Sequence, residues 1–347
     1  MNNGDGGNML GTPLDLGKLS KLFLCTALVF LLISNAFGSE SEWEAPRTEH
    51  GYPDLQGAWS NVNATPIQRP RDLESRRAYT EEEALALESE LRAASEQNFL
   101  PSDPNRAAPP IGDISLRLAE IINYDDMTNL AFIDGEYRTS LIVSPSNGRF
   151  PFTENGRSKD IYGKWRAQGL NPWDGPEFLM IGERCITGNG TMPPMAIIGY
   201  NSNIQIVQTS DYVVVIGEMV NDARIIRLDS VHQAPNMTKW MGDSIGYYED
   251  DTLVVHTQNY RPEQSNMRLI SSEQLQVTER FTPVSDDKIY YSFTVEDPVI
   301  YTEPVVFEFP LNRLEDGDWL YEFACHEGNY SMTGILAGAR RQEIEDK

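Results

Sequence analysis

The spacing of apolar and polar residues changes along this chain from a helical period to a strand period. The segment Thr80–Glu83 is a capping box, in which the Thr80 hydroxyl can accept a backbone N–H and the Glu83 carboxylate can reach back. It predicts a helix that continues to about Gln97. After Arg138 apolar residues recur at every second position, which is typical of strands that bury one face.

Short polar turns separate the strand-like segments and predict successive hairpins, as at Asn221-Asp222 and Asp316-Gly317-Asp318. The predicted strands are Thr139–Ser144, Ile204–Gln208, Tyr212–Met219, Ala223–Leu228, Tyr247-Tyr248, Thr252–Thr257, Leu275–Phe281, Lys288–Val295, Val305–Leu311 and Trp319–Cys325.

Hairpins that follow one another without crossover helices indicate an antiparallel meander, and this many strands close as a barrel or fold as a sandwich. We predict a mainly β protein whose residues 139–347 form a lipocalin-like barrel or a strongly curved sheet, because a closed barrel leaves no free edge. Residues 39–138 are expected to form an irregular and helical segment that packs on the sheet, with a second helix over 115–123.

The first residues predict a secretory signal peptide over 1–38. Lys18 and Lys21 precede the apolar run Leu22–Ile33, which is too short to span a membrane, and Ala36-Phe37-Gly38 is a small-x-small cleavage pattern. The mature chain is therefore expected to be periplasmic or secreted, without a membrane anchor.

Charge and cysteine content narrow the expected partners. The net charge is −24, and removing residues 1–38 leaves it unchanged because two acidic and two basic residues are lost. Such a surface repels nucleic acid and anionic lipid, which leaves a small molecule as the expected partner.

Cys185 and Cys325 remain after cleavage, and in an oxidising compartment they favour a disulfide over a metal site or a reactive thiol.

Two glutamates fall on apolar faces of predicted strands. Glu279 shares a face with Val277 and Phe281, and Glu218 shares one with Val214 and Ile216. A buried carboxylate without a partner is costly. They are either cavity carboxylates suited to acid–base chemistry or members of ion pairs, for which the candidates are Arg224, Arg227 and Arg280.

The other candidate residues lie in polar clusters beside predicted strands. Asp243 is a candidate site residue in the sequence Trp240-Met241-Gly242-Asp243-Ser244. The alternative is a turn in which the Asp243 carboxylate accepts a hydrogen bond from a backbone amide. His326 and Glu327 follow Cys325, and His326 is our first candidate for an acid–base catalyst, with a strand-end cap as the alternative. The four histidines show no metal-binding spacing, and we find no nucleotide, haem or flavin motif, so neither metal nor cofactor is predicted.

Several motifs together resemble a large group of exported proteins from environmental bacteria. They include Pro53–Asn61 (PDLQGAWSN), Trp240–Ser244 (WMGDS), Glu279-Arg280-Phe281 and Cys325–Tyr330 (CHEGNY). The resemblance spans roughly residues 50–341. It implies export and one shared architecture, and it carries over no catalytic role.

Three functions are compatible with these patterns. The first is an exported enzyme that performs cofactor-free hydrolysis, elimination or isomerisation on a small organic molecule, with His326, Glu327, Glu279 and Asp243 as catalytic candidates. The second is a non-catalytic barrel that binds a hydrophobic ligand, and the third is a cell-envelope interaction protein. The candidate ligand-binding residues are Trp240, Tyr291, Tyr330, Glu218 and Arg224.

Overall fold

The computed structural model describes residues 43–98, 101, 105, 125–187, 194–195, 202–266, 269–315 and 317–345. The predicted signal peptide and the predicted helix over 115–123 lie outside these residues. The barrel strands are β1 (Gly57–Ser60), β6 (Asn203–Gln208), β7 (Tyr212–Gly217), β8 (Ala223–Leu228), β9 (Asp243–Glu249), β10 (Thr252–Gln258), β11 (Gln276–Ser285), β12 (Lys288–Glu296) and β13 (Val305–Arg313). Outside the barrel ring lie β2 (Ala78–Tyr79), β3 (Phe132–Ile133), β4 (Glu136–Arg138) and β5 (Ile142–Ser144), and the helices are α1 (Glu81–Asn98), α2 (Ile161–Ala167) and α3 (Ser331–Glu345).

The predicted barrel is confirmed. Within the described residues, nine strands run in the order β1-β6-β7-β8-β9-β10-β11-β12-β13, and β1 pairs with β13 to close the ring. Neighbouring strands are antiparallel except β8 and β9, which are parallel. A parallel pair needs a crossover, and residues 229–242 provide it. The barrel is therefore mixed, with one parallel pair in an otherwise antiparallel ring.

The last predicted strand, Trp319–Cys325, is wrong: these residues are largely exposed and form no strand. The physical reason is that both edges of β13 are already used, one by β12 and the other by β1 and β5. The predicted strand Thr139–Ser144 shortens to β5, because Thr139 and Leu141 bond instead to the carbonyl groups of residues 77 and 66.

Gly57 lies in close contact with Arg313 where the barrel closes. Its φ of +132° is a backbone conformation that favours glycine, and the guanidinium of Arg313 packs where a side chain at this position would begin. Arg313 stacks over the ring of Trp59 at 4.1 Å, and these two residues are also register partners between β1 and β13. The PDLQG sequence thus places the first barrel strand against the last.

One end of the barrel is covered by the chain that precedes β1. Gln208, at the end of β6, donates its amide to the carbonyl of Pro53 at 2.9 Å and accepts the N–H of Leu55 at 2.6 Å. Tyr52 stacks on Tyr248, with ring centroids 4.5 Å apart. Leu55 is completely buried in the core. This end of the barrel interior is consequently closed.

A small sheet of β2, β4 and β3 packs outside the barrel. Its Arg138 is buried and forms an ion pair with Glu308 on the outer face of β13, and Arg77 reaches the same carboxylate at 2.9 Å.

Helix α1 follows β2 in the chain, and its predicted capping box is confirmed: Glu83 accepts the Thr80 N–H at 2.8 Å, and Thr80 accepts the Glu83 N–H at 3.3 Å.

The predicted disulfide between Cys185 and Cys325 is also confirmed. It joins the chain before β6 to the chain after β13. Helix α3 buries none of its residues, and Arg340 attaches it by donating to the carbonyl groups of Trp173 and Asp174. The C-terminal helix therefore lies against residues 173–185 and outside the sheet.

Candidate functional site

The interior of the barrel contains a buried ion pair. Glu279 lies on β11 between Val277 and Phe281 on the inward face, and its side chain has an exposed fraction of 0%. Arg224, on β8, donates from Nη1 to Glu279 Oε2 at 2.6 Å. The alternation of β11 correctly predicted that Glu279 faces the apolar side. Of the partners considered for it, Arg224 is the one that the structure supplies.

Two tyrosines complete the polar groups around this pair. Tyr291, on β12, donates its hydroxyl to Glu279 Oε1 at 2.7 Å and accepts the backbone N–H of Met195 at 3.2 Å. Tyr260, just after β10, is also fully buried and hydrogen-bonds Thr257. We call Arg224, Ser244, Thr257, Tyr260, Glu279 and Tyr291 the lumen cluster.

Burial and charge fix the protonation states in the lumen cluster. Burial raises the pKa of Tyr291 and of Tyr260 well above the usual value, and the neighbouring Glu279 carboxylate raises both further. Burial alone would lower the pKa of Arg224, but Glu279 more than offsets this and raises it. Both phenols therefore remain protonated donors, and the guanidinium remains charged.

Arg224 has donors that its ion pair does not use. Its Nε and Nη2 atoms are buried and have no hydrogen-bond partner among the described residues. Most buried polar groups in proteins are hydrogen-bonded, so each exception calls for an explanation. The exposed fraction of the Arg224 side chain is only 2%, so these donors face the interior rather than bulk solvent. The lumen cluster thus contains two buried donors whose hydrogen bonds are not made.

Asp243 lies in a second, separate cluster. It is fully buried at the start of β9 and accepts hydrogen bonds from Arg227 at 2.8 Å, Lys239 at 2.9 Å, the Gln233 N–H at 2.9 Å and His232 Nδ1 at 3.2 Å. Burial alone would raise its pKa, but these donors together hold the pKa well below its usual value. All of them lie on β8 or on the crossover before β9.

The contacts of Asp243 describe a structural role. One carboxylate holds the crossover that makes β8 and β9 parallel, and both of its oxygens are occupied. The neighbouring Ser244 bonds Thr257 at 2.9 Å rather than Asp243, so the Asp-Ser sequence forms no nucleophile pair. The turn interpretation, in which Asp243 holds a backbone amide, matches the observed contact with Gln233.

His326, Glu327 and Tyr330 lie together on the surface after the disulfide. All three are exposed, and the exposed fraction of Tyr330 is 82%. Glu327 lines a cavity of about 430 Å³ beside Cys185 and Cys325, whereas His326 is not among its lining residues. No side-chain contact among the described residues joins His326 to Glu279. The structure therefore does not bring the predicted catalytic residues together.

Trp240 and Glu218 contribute to the surface rather than to the lumen. The guanidinium of Arg261 lies 4.1 Å from the ring of Trp240, and that of Arg184 lies 5.5 Å away. Glu218 follows the last residue of β7, and the expectation that it points to the apolar side is wrong. It accepts the N–H of Tyr321 at 3.1 Å, because Val213 and Val215, not Val214, form the buried face of β7.

Sequence reasoning missed two polar positions that matter for the interior. Tyr260 follows a strand and has no periodic neighbour to reveal its orientation. Gln208 lies two residues after Ile206 and four after Ile204, so the alternation of β6 places all three side chains on the inward face. The sequence alone could have shown this. Among the described residues no group of histidine, cysteine and acidic side chains could hold a metal ion.

The described residues contain no helix with the length and apolar character needed to cross a membrane. A scan against models of known protein families and searches of curated proteins and of solved structures find no match to this chain. The resemblance to exported bacterial proteins thus stays a prediction from motifs, and an argument for function starts from the lumen cluster.

Proposed function

We propose that this protein is a ligand-binding β-barrel that holds a small, mainly apolar organic molecule in its interior. The observation that carries the proposal is the buried guanidinium of Arg224, whose Nε and Nη2 have no partner among the described residues. Barrels of about this strand number have interiors that side chains fill or that hold one small ligand. Apolar walls with a few fixed polar groups are the usual composition of a small-molecule site.

The contacts favour binding over catalysis. Each oxygen of Glu279 already accepts a hydrogen bond, one from Arg224 and one from Tyr291, so contacts within the protein hold the carboxylate in place. A general base needs hydrogen-bond reach to the proton that it removes. Asp243 is equally occupied, and His326 is exposed on another part of the molecule.

Acid–base chemistry is the second candidate function, and one contact favours it. Tyr291 and Glu279 form a buried phenol–carboxylate pair at 2.7 Å, through which a proton could pass to a bound molecule. An enzyme of this kind would perform elimination or isomerisation without a cofactor. The Glu279→Gln variant would then bind its substrate and fail to convert it.

The experiment that tests the proposal is a titration of the disulfide-bonded protein with N-phenyl naphthylamine, an apolar dye whose fluorescence rises on leaving water. One saturable site that is weakened in Arg224→Lys and unchanged in Arg280→Lys supports binding in the lumen. Arg280 is the matched control because it forms a half-exposed ion pair with Glu249 on the outer face of β11. No saturable binding, or equal effects of both variants, would overturn the proposal.

The enzyme alternative requires a separate measurement. Molecules that bind the wild-type protein are incubated with it and analysed by chromatography and mass spectrometry. A new product that Glu279→Gln does not form, while still binding the starting molecule, would replace the binding proposal with the catalytic one.

We also propose that the protein functions after export and does not bind nucleic acid. The disulfide between Cys185 and Cys325 supports export, because such bonds form and persist in oxidising compartments. The net charge of −24 opposes contact with phosphate backbones. Cell fractionation of the native host tests the location, and filter binding to nucleic acid tests the second point.

A further inference from the structure

The two unused donors of Arg224 lie on one edge of its guanidinium. Nη1 is occupied by Glu279 at 2.6 Å, and Nε and Nη2 have no partner among the described residues. In a planar guanidinium, the Nε–H and one Nη2–H are parallel and can grip a single acceptor group together. A molecule in the lumen could therefore accept two parallel hydrogen bonds from Arg224.

The rest of the lumen cluster offers this molecule few other hydrogen bonds. Tyr291 donates to Glu279 and accepts from Met195, and Ser244 and Thr257 bond each other at 2.9 Å. The inward positions next to Arg224 and Glu279 are apolar. The register partners of Glu279 are Val255 and Phe293, the partner of Arg224 is Val215, and Ile226 follows on β8.

Charge decides what kind of acceptor fits. Glu279 already neutralises Arg224, so a carboxylate or phosphate bound to the same guanidinium would leave a net negative charge in the apolar interior. Burying a charge without compensation is far more costly than burying a hydrogen-bonded neutral group. A carbonyl oxygen has two lone pairs and can accept from both Nε and Nη2 without adding charge.

We propose that the lumen binds an uncharged, mainly apolar molecule through a carbonyl oxygen that accepts from Nε and Nη2 of Arg224. The ligand class is that of ketones, esters and similar neutral carbonyl compounds. This inference rests on the proposed binding function and adds the chemistry of the head group. It also gives the Arg224–Glu279 pair a role, since the carboxylate orients the guanidinium and excludes anionic ligands.

The test compares three probes of equal chain length by isothermal titration calorimetry at neutral pH. They are a medium-chain methyl ketone, the corresponding carboxylate and the parent alkane. We expect the ketone to bind about tenfold or more tightly than either of the others, which corresponds to one added hydrogen-bonding group. Equal affinity for ketone and alkane, or tightest binding of the carboxylate, would overturn this inference and leave the binding function standing. Binding of none of the three would overturn both.

Two variants assign the preference to Arg224. The double variant Arg224→Met with Glu279→Gln removes the paired guanidinium donors and both charges, and should lose most of the ketone preference, because only the single Gln amide remains as a donor. Arg224→Lys keeps the positive charge and loses the parallel edge, and should lower the ketone preference at least threefold if one of two hydrogen bonds is lost. Arg280→Met, on the outer face, should leave the preference unchanged. Circular dichroism confirms that each variant is folded, and a ketone preference that persists without Arg224 contradicts the assignment.

Discussion

At the scale of single residues, the contacts of each candidate carboxylate distinguish an ion-pair or structural role from a catalytic one, which the sequence alone left open. Strand parity placed Glu279 inside the barrel, because side chains of a strand alternate between its faces. Parity does not identify a partner: Arg224 lies on β8, three strands away in the ring, and reaches Glu279 across the interior. Sequence reasoning therefore found the members of the ion pair and left their pairing open.

The ion pair in the lumen predicts unequal effects of single and double substitutions. Arg224→Met should lower the free energy of unfolding by about 3–5 kcal/mol, because it leaves Glu279 buried without a counter-charge. Adding Glu279→Gln should recover a large part of that loss, since no unpaired charge remains. Urea unfolding of wild type, single and double variants measures the coupling. Equal losses in the single and double variants would contradict the explanation.

Asp243 is predicted to stabilise the crossover between β8 and β9. Asp243→Asn should lower the free energy of unfolding by about 2–3 kcal/mol, because the amide replaces an ionised acceptor of several hydrogen bonds. Chemical denaturation measures the change. Asp318→Asn is the matched control on an exposed residue and should shift stability by less than about 0.5 kcal/mol. If Asp243→Asn leaves the free energy of unfolding unchanged, Asp243 does not stabilise the crossover.

The same carboxylate predicts a dependence of stability on pH. Its pKa is lower in the folded than in the unfolded state, so its contribution is fully present above the unfolded value, near pH 4. The contribution is lost progressively as the pH falls below about 4 toward the folded value. Urea midpoints measured across this range should fall less steeply for Asp243→Asn than for the wild type. Parallel curves for the two proteins would show that Asp243 is not the group that titrates.

At the scale of elements, hairpin signals predicted most strands because turn residues and alternation are local properties. The failure at Trp319–Cys325 has a non-local cause. Its alternation of aromatic and polar residues is that of a strand, and only the closure of the barrel through β1 shows that β13 has no free edge. The aromatic side chains of this segment are therefore exposed to solvent, and the exposed fraction of Trp319 is 71%.

Helix α1 provides a local test of the capping box. Thr80→Ala should destabilise the helix by about 1 kcal/mol, because the Glu83 N–H loses its side-chain acceptor. Hydrogen exchange of the first-turn amides of α1 should quicken, while exchange in the barrel strands stays unchanged. Thr238→Ala, at an exposed position in the crossover, is the control. Unchanged exchange in α1 would mean that the cap contributes nothing.

At the scale of the whole molecule, the sequence predicted the closed barrel and the disulfide more completely than the site. Local patterns reveal which residues face inward, and the predicted export, together with the two cysteines that follow the predicted signal peptide, indicates the bridge. A site depends on which inward residues meet across the lumen, and Arg224, Tyr260 and Glu279 come from separate strands or loops. His326 illustrates the limit, since a cluster of reactive residue types at a predicted strand end is in fact exposed.

The bridge between Cys185 and Cys325 encloses strands β6 to β13 in one covalent loop, with a sequence separation of 140 residues. A protease that cuts this loop, for example after the exposed Lys239, should therefore produce a nicked protein that still runs as one chain on a denaturing gel without reductant. Cleavage after Arg92, which lies before the loop, should release a fragment under the same conditions. In a compartment rich in proteases, such a protein can be cut inside its barrel and lose no part of it.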